Sequence, residues 1–247
     1  HNIWYISKYI APTYAAKNQA RGFLILEELA RLGHSCSLFT SDSSHQVKAP
    51  TLTSAVYTET VDNVVVHWIK TSKFKKSNSF KRVLSWFDFE WRLFKMPKKN
   101  LTYPDVIIVS SLSLLSILNG IYLKNKYKCK LIFEIRDIWP LVLTVSGNYS
   151  KNNIFVRFLG IVEKLGYLKS DCIVGTMPNL TQHVKKITKK DIKAECIPQV
   201  LDPTLLTAQP ERLPKFFIEK YIPNNKFIVC HAGSIGADNY LEYLFEC

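Results

Sequence analysis

Long apolar runs are missing from this sequence: none reaches the ~18 residues that a membrane-spanning helix requires. Acidic residues are scarce, with 20 Asp and Glu against 33 Lys and Arg in 247 residues and a formal net charge of +13. A balance that basic points to an anionic partner, whether nucleic acid, anionic lipid or a phosphorylated small molecule. Glycine and proline are few, at 9 and 11, while 47% of residues are hydrophobic. Such a composition describes a globular chain with room for one large or two small domains. The six cysteines include no C-x-x-C pair and no histidine at zinc spacing, so no metal site is expected. They read as buried, reduced thiols of a cytoplasmic protein. The sequons at Asn100, Asn148 and Asn179 then carry no meaning. No basic-then-apolar leader opens the chain, and its first residue is His1 rather than methionine, as in a trimmed or tagged start. The G-x-G-x-x-G fingerprint of dehydrogenase-type dinucleotide sites is also absent.

What is present is an alternation of strands and helices. Residues 2–9 read as a strand, 19–32 as a helix closed by Gly33, and 35–40 as a second strand, together a βαβ unit. Residues 41–60 are polar and read as a loop. Further strands are expected at 64–70, 105–110, 131–135, 171–175 and 194–197. Helices are expected over 113–127, 153–169 and 178–188. The pattern predicts an α/β fold built on a doubly wound parallel sheet.

The stretch LIFEIRDIWP, residues 131–140, is the centre of that pattern. A buried parallel strand is a short apolar run, and ligands bind beyond the carboxyl ends of such strands. Here the run ends in Arg136 and Asp137, in a turn stopped by Trp139 and Pro140. The charged pair is either a site or an ion pair that holds the loop. Glu134 alternates to the other strand face and reads as a buried carboxylate paired with a nearby cation.

Residues 80–96 have helical period and an unusual load of aromatics. Phe80, Val83, Leu84, Phe87, Trp91 and Phe94 cover one apolar face, which Trp86, Phe89, Leu93 and Met96 widen. Lys81, Ser85, Asp88, Arg92 and Lys95 form a narrow polar stripe, and lysines flank both ends. An interfacial membrane helix has this character; the competing reading is a core helix with a solvated stripe. On the first reading Trp86, Phe89, Trp91, Lys81 and Arg82 contact an anionic membrane surface. A nucleic-acid partner is not expected, because base-stacking aromatics belong on strands or loops.

Five prolines between 198 and 225 mark a linker. Residues 226–231 read as a new strand, followed by AGSIG and the start of a helix at Asn239. One strand and one helix cannot bury a core. The expected organisation is therefore a domain over 1–199, a linker over 200–225, and the start of a truncated second domain over 226–247.

These residues resemble a known family. NIWYISKYIAPTY, Arg21 at a helix head, ARLGHSCSLFTSDSSH, EIRDIWP, KSDCIVGTMPN and AGSIG are similar to the N-terminal half of family-4 glycosyltransferases of the GT-B fold, and more narrowly to the bacterial surface-polysaccharide branch related to aminofucose transferases. The resemblance implies two facing Rossmann-like domains and retaining sugar transfer without a bound metal or other cofactor. The donor would be a nucleotide sugar, a UDP-sugar, and the acceptor lipid-linked or a glycan. Transfer would occur at the cytoplasmic face of the cell membrane. It places Asp137 in the cleft as the catalytic candidate, where many relatives carry His-Asp and this chain carries Arg136-Asp137. Arg21, Lys17, Arg136 and Trp139 become acceptor-side binding candidates, and Gly233, Ser234 and Gly236 donor-phosphate candidates. Family residues beyond Cys247 would complete the cleft, so the chain alone is expected to be inactive. The alternative is a non-catalytic module that binds a membrane or a partner.

Overall fold

The computed structural model describes residues 1–15, 21–44, 47–74, 80–145, 147, 149–199, 212–231, 233 and 241–246. The first unit, His1–Val200, is built on one eight-stranded sheet. Its strands are β1 (Asn2–Ile6), β2 (Ser35–Ser41), β3 (Val56–Val61), β4 (Val64–Ile69), β5 (Val106–Ser110), β6 (Lys130–Ile135), β7 (Cys172–Gly175) and β8 (Ala194–Cys196). They lie in the order β3-β4-β2-β1-β5-β6-β7-β8, parallel throughout except for β3 against β4. From β1 the chain winds outward to β2 and β4, then returns to the other flank of β1 to lay down β5, β6, β7 and β8. The order reverses between β1 and β5, and at such a switch point the crossovers diverge and leave a crevice.

The helices are α1 (Arg21–Arg31), α2 (Phe80–Lys95), α3 (Ser116–Tyr127), α4 (Leu141–Val145), α5 (Ile154–Lys169) and α6 (Leu180–Thr188). α1 packs with β2 and β4 in a cluster containing Tyr5, Phe23, Leu26, Leu38 and Trp68. α2, α3, α5 and α6 share a second cluster around Trp4, Phe39, Phe89, Phe133 and Leu159. Gly33 closes α1 at φ +87°, a left-handed position glycine adopts without steric cost. Asn153 caps α5, its side chain accepting from the amides of Phe155 and Val156 at 2.9 and 3.4 Å.

The sheet is wider than the sequence reading by one strand. Residues 56–61, read as loop, form β3. Asp62 and Asn63 both have positive φ, 50° and 62°, and Val61 pairs with Val64. That is a two-residue hairpin turn, whose twist matches the flanking strands.

α2 also differs from expectation. Trp86 and Phe89 are 4% and 0% exposed and pack with Leu93 against the sheet, so they are core residues and cannot touch a membrane. Ser85, placed on the polar stripe, is buried and bonds the Arg82 carbonyl at 2.6 Å. The helix carries apolar residues on both sides of its polar stripe, and the core takes the row 86, 89 and 93. Leu84, Phe87, Trp91 and Phe94 face outward.

The second unit, Leu201–Cys247, has two short helices among its described residues, α7 (Lys215–Tyr221) and α8 (Leu241–Glu246). Residues 226–231 carry no strand, and Phe227, Ile228 and Val229 are exposed. Apolar content alone does not make a strand; it needs a neighbour to hydrogen-bond.

Candidate functional site

The carboxyl ends of β1, β2, β5 and β6 gather charged and hydroxyl-bearing residues at the switch point. Each follows an apolar strand, so the sheet core fixes its backbone. After β6, the Ser111 hydroxyl bridges from the turn after β5. It donates to the Asp137 carbonyl at 2.9 Å and accepts from the amides of Arg136 and Asp137 at 2.9 and 3.2 Å. One buried serine thus holds the Arg-Asp turn. The Asp137 side chain is at the surface, though the protein around it pushes its carboxyl pKa up, against the pull of Arg136 and Arg82. Arg136 reaches Gln199 Oε1 at 3.4 Å.

Beside this turn stands an aromatic wall. Trp86 Nε1 donates to the Tyr9 hydroxyl at 2.6 Å, and Arg82 Nε approaches the same oxygen at 3.4 Å. The Arg82 guanidinium lies 5.7 Å from both ring centroids. Trp139 meets Trp86 edge-on at 5.4 Å, and its buried indole N–H has no hydrogen-bond partner. The hydroxyls of Ser7, after β1, and Ser113, after β5, are likewise buried without a partner. Buried donors of this kind are uncommon and mark places where a water or ligand group completes the bonding.

Lys8, also after β1, is fully buried. Its Nζ donates to the Ser43 carbonyl at 2.8 Å and to Ser41 Oγ at 3.3 Å. Burial lowers its pKa to about 7, opposed by the carboxylates of Asp42 and Glu90. Asp42 accepts from the Thr71 amide at 2.8 Å and pairs with Lys73 at 2.7 Å. Glu90, on α2, accepts from Ser116 and Asn119, each at 2.6 Å, and burial raises its pKa to about 7. A buried amine and a half-buried carboxyl, both with pKa values pushed toward neutrality by desolvation, therefore lie behind the switch point.

Of the candidates named from sequence, Asp137, Arg136, Trp139 and Arg82 come together at this edge. Arg21 does not join them. It is 2% exposed: Nε pairs with Glu134 Oε1 at 2.9 Å, Nη2 donates to the Ile197 carbonyl at 3.1 Å, and Nη1 to that of Pro198. Glu134 also accepts from the Tyr5 hydroxyl. Arg21 is thus a buried strut between α1, β6 and the segment after β8, all three of its nitrogens engaged within the protein, and it is the cation that Glu134 was expected to find. Lys17, Ser234 and Gly236 lie outside the described residues. Gly233 is described, in the second unit, where a Cβ would sit 2.9 Å from the His231 ring. The sequence reading missed Lys8, Tyr9, Ser111 and Glu90. Position after an apolar strand flagged Arg136 and Asp137, and the same rule applied to β1 points to Lys8 and Tyr9. Among the described residues, no cluster of His, Cys, Asp and Glu is arranged to hold a metal ion.

No protein-family model and no curated protein matches this chain. Solved structures do. The catalytic domain of starch synthase IV from Arabidopsis thaliana, bound to ADP and acarbose, aligns with a TM-score of 0.51 at 13% identity, over 78% of this chain and 51% of its own. The likeness is one of fold: an α/β unit on a mostly parallel sheet, of the kind found in GT-B glycosyltransferases. TcCGT1 in complex with UDP aligns with a TM-score of 0.43 at 11% identity, over 88% of this chain and 54% of its own. The chain spans about half the length of the structures it matches. At such identities the likeness carries the fold and not the reaction.

Proposed function

We propose that this chain is the acceptor side of a retaining glycosyltransferase. On this reading the enzyme moves a sugar from a UDP-sugar to a lipid-linked acceptor in bacterial surface-polysaccharide synthesis. The observation that carries the reading is the Arg136–Asp137 turn, held by Ser111 at the carboxyl edge of a GT-B-type sheet, with Arg82 and the Tyr9–Trp86–Trp139 wall beside it. Sugar transfer develops positive charge on the donor sugar and negative charge on the departing diphosphate. Asp137 orients the acceptor hydroxyl and faces the positive charge. Arg136 and Arg82 meet acceptor phosphate, where a planar guanidinium bonds two oxygens at once. The rings offer an apolar surface to a sugar or lipid. The starch synthase domain was solved with ADP, which supports a nucleotide-linked donor.

The test is transfer from a panel of UDP-sugars to a polyisoprenoid-diphosphate-linked sugar, using the full-length protein. Asp137→Asn is expected to lower kcat by roughly 10²–10³, the cost of losing a charge stabiliser in the transition state. Full activity in that variant, or no transfer to any such acceptor by the parent protein, overturns the reading.

A further inference from the structure

The strongest unabsorbed feature of the molecule is the outer face of α2, α3 and α5. Leu84, Phe87, Trp91 and Phe94 form an exposed stripe at helical spacing on α2. Leu118 and Tyr122 continue it on α3, and Ile154, Phe158 and Ile161 on α5. The stripes are one surface. Phe94 touches Tyr122 at 5.0 Å between centroids, Phe87 stacks on Phe158 at 6.4 Å, and Trp91 stacks on Phe94 at 6.2 Å. Trp91 is 57% exposed and Ile154 86%, values unusual for large apolar side chains that the fold itself has a use for.

Charge decides what covers this face. α2, α3 and α5 together carry nine basic residues, Lys81, Arg82, Arg92, Lys95, Lys124, Lys126, Arg157, Lys164 and Lys169, against three acids. All three acids are engaged: Asp88 with Arg92 at 2.6 Å, Glu90 with Ser116 and Asn119, and Glu163 with His183 at 2.7 Å. Of the bases, Arg92 and Lys124 are ion-paired, the latter with Asp171 at 2.8 Å, and Arg82 stands at the Tyr9–Trp86 wall. Lys81, Lys95, Lys126, Arg157, Lys164 and Lys169 therefore supply the excess positive charge. Lys95 lies 4.4 Å from the Trp91 ring and Lys126 5.8 Å from Tyr122, so cations sit beside the aromatics. An apolar face with interfacial aromatics and cations along it complements one surface, where acyl chains lie beneath anionic headgroups. A second copy of the same basic face would repel it.

We infer that this face docks the protein on an anionic lipid bilayer, with Leu84, Phe87, Trp91, Phe94, Ile154 and Ile161 entering the headgroup–acyl boundary. The inference goes beyond the proposed sugar transfer and does not depend on it. No helix among the described residues is long and apolar enough to cross a membrane, so docking is by this face lying on the surface.

The experiment is co-sedimentation of residues 1–247 with sucrose-loaded vesicles, either 1:1 phosphatidylglycerol–phosphatidylcholine or phosphatidylcholine alone, with no sugar substrate present. The parent chain is expected to pellet with the anionic vesicles at least about ten-fold better, and less so in high salt. Phe87→Ser/Trp91→Ser removes two exposed side chains and is expected to lower partitioning at least about ten-fold. Lys81→Glu/Lys95→Glu is expected to abolish the preference for anionic vesicles. The variant positions are exposed, so unchanged thermal melting accompanies each loss. Equal pelleting with both vesicle types, no pelleting, undiminished binding by the Phe87/Trp91 variant, or a dimer that this variant dissolves overturns the inference. None of these outcomes bears on whether UDP-sugars are substrates.

Discussion

Replacing Arg21 by alanine is expected to destabilise the fold far more than loss of a surface arginine. All its guanidinium nitrogens are engaged below the surface, by Glu134 Oε1 at 2.9 Å and by the carbonyls of Ile197 and Pro198. Alanine leaves the Glu134 carboxylate buried with the Tyr5 hydroxyl as its remaining side-chain partner, and strips two carbonyls of a donor. Removing one member of a buried ion pair costs about 3–5 kcal/mol, because the survivor keeps its desolvation penalty. For a folding unit of ~200 residues, each kcal/mol lowers Tm by about 2–4 °C, so a fall of roughly 6–20 °C is expected. Arg21→Met/Glu134→Leu removes both charges and recovers most of the loss. The assay is urea unfolding at pH 7 followed by tryptophan fluorescence, on Arg21→Ala and on the cycle of Arg21→Met, Glu134→Leu and their pair. A coupling energy of about 2 kcal/mol or more is expected from the cycle. A loss under about 1 kcal/mol in Arg21→Ala, or a double variant no more stable than that single one, would refute the strut.

Three further outcomes follow from the same geometry. Glu90 folds with its pKa raised to about 7, so it contributes stability at low pH that is lost as pH rises from its unfolded value toward 7. Lys8 folds with its pKa lowered to about 7, so its burial costs most at and below pH 7, and stability returns as pH rises toward its unfolded value. Unfolding free energy measured from pH 4 to 10 should therefore dip near pH 7; Glu90→Gln flattens the acid limb and Lys8→Met the alkaline one, and limbs unchanged by these variants would count against both assignments. Ser111→Ala removes three hydrogen bonds from the Arg136–Asp137 turn. It should cost about 1–3 kcal/mol and lower kcat in the transfer assay more than it raises KM; an unchanged kcat would mean that the turn needs no such support. Trp86→Ala, in the core and bonded to Tyr9, should cost about 3–5 kcal/mol, whereas Trp91→Ala on the same helix should stay within about 0.5 kcal/mol. Equal losses in urea unfolding would show that the two faces of α2 have been misassigned.

The strands whose two faces are both covered were the legible part of the chain. β1, β2, β5, β6 and β7 are short apolar runs bounded by polar residues, and each lies where its run predicts. β3 was not legible, because Tyr57, Thr58 and Thr60 of an edge strand are exposed and their pattern is that of a polar loop. The positive-φ pair at Asp62 and Asn63 was the one local cue to it. α2 failed in the opposite way. A helix whose apolar residues spread over most of its circumference has no single apolar face to read, so its period located the helix without saying which tryptophan is core.

The candidate site divides on the same principle. Arg136 and Asp137 were found because strand ends are a property of the local sequence. Arg21 was misread because its partners, Glu134, Ile197 and Pro198, are more than 100 residues away along the chain. Glu90 and Lys8 were invisible for the same reason: a charged residue in sequence is solvated by default, and burial is conferred by elements that arrive from elsewhere. By itself, the order of apolar runs and breakers determined the α/β class and the strand ends that carry the site, because hydrogen bonding and side-chain period are local. Only the tertiary structure decided which charges are struts, which titrate near neutrality and which face of the aromatic helix looks outward, because desolvation and pairing depend on neighbours distant in sequence.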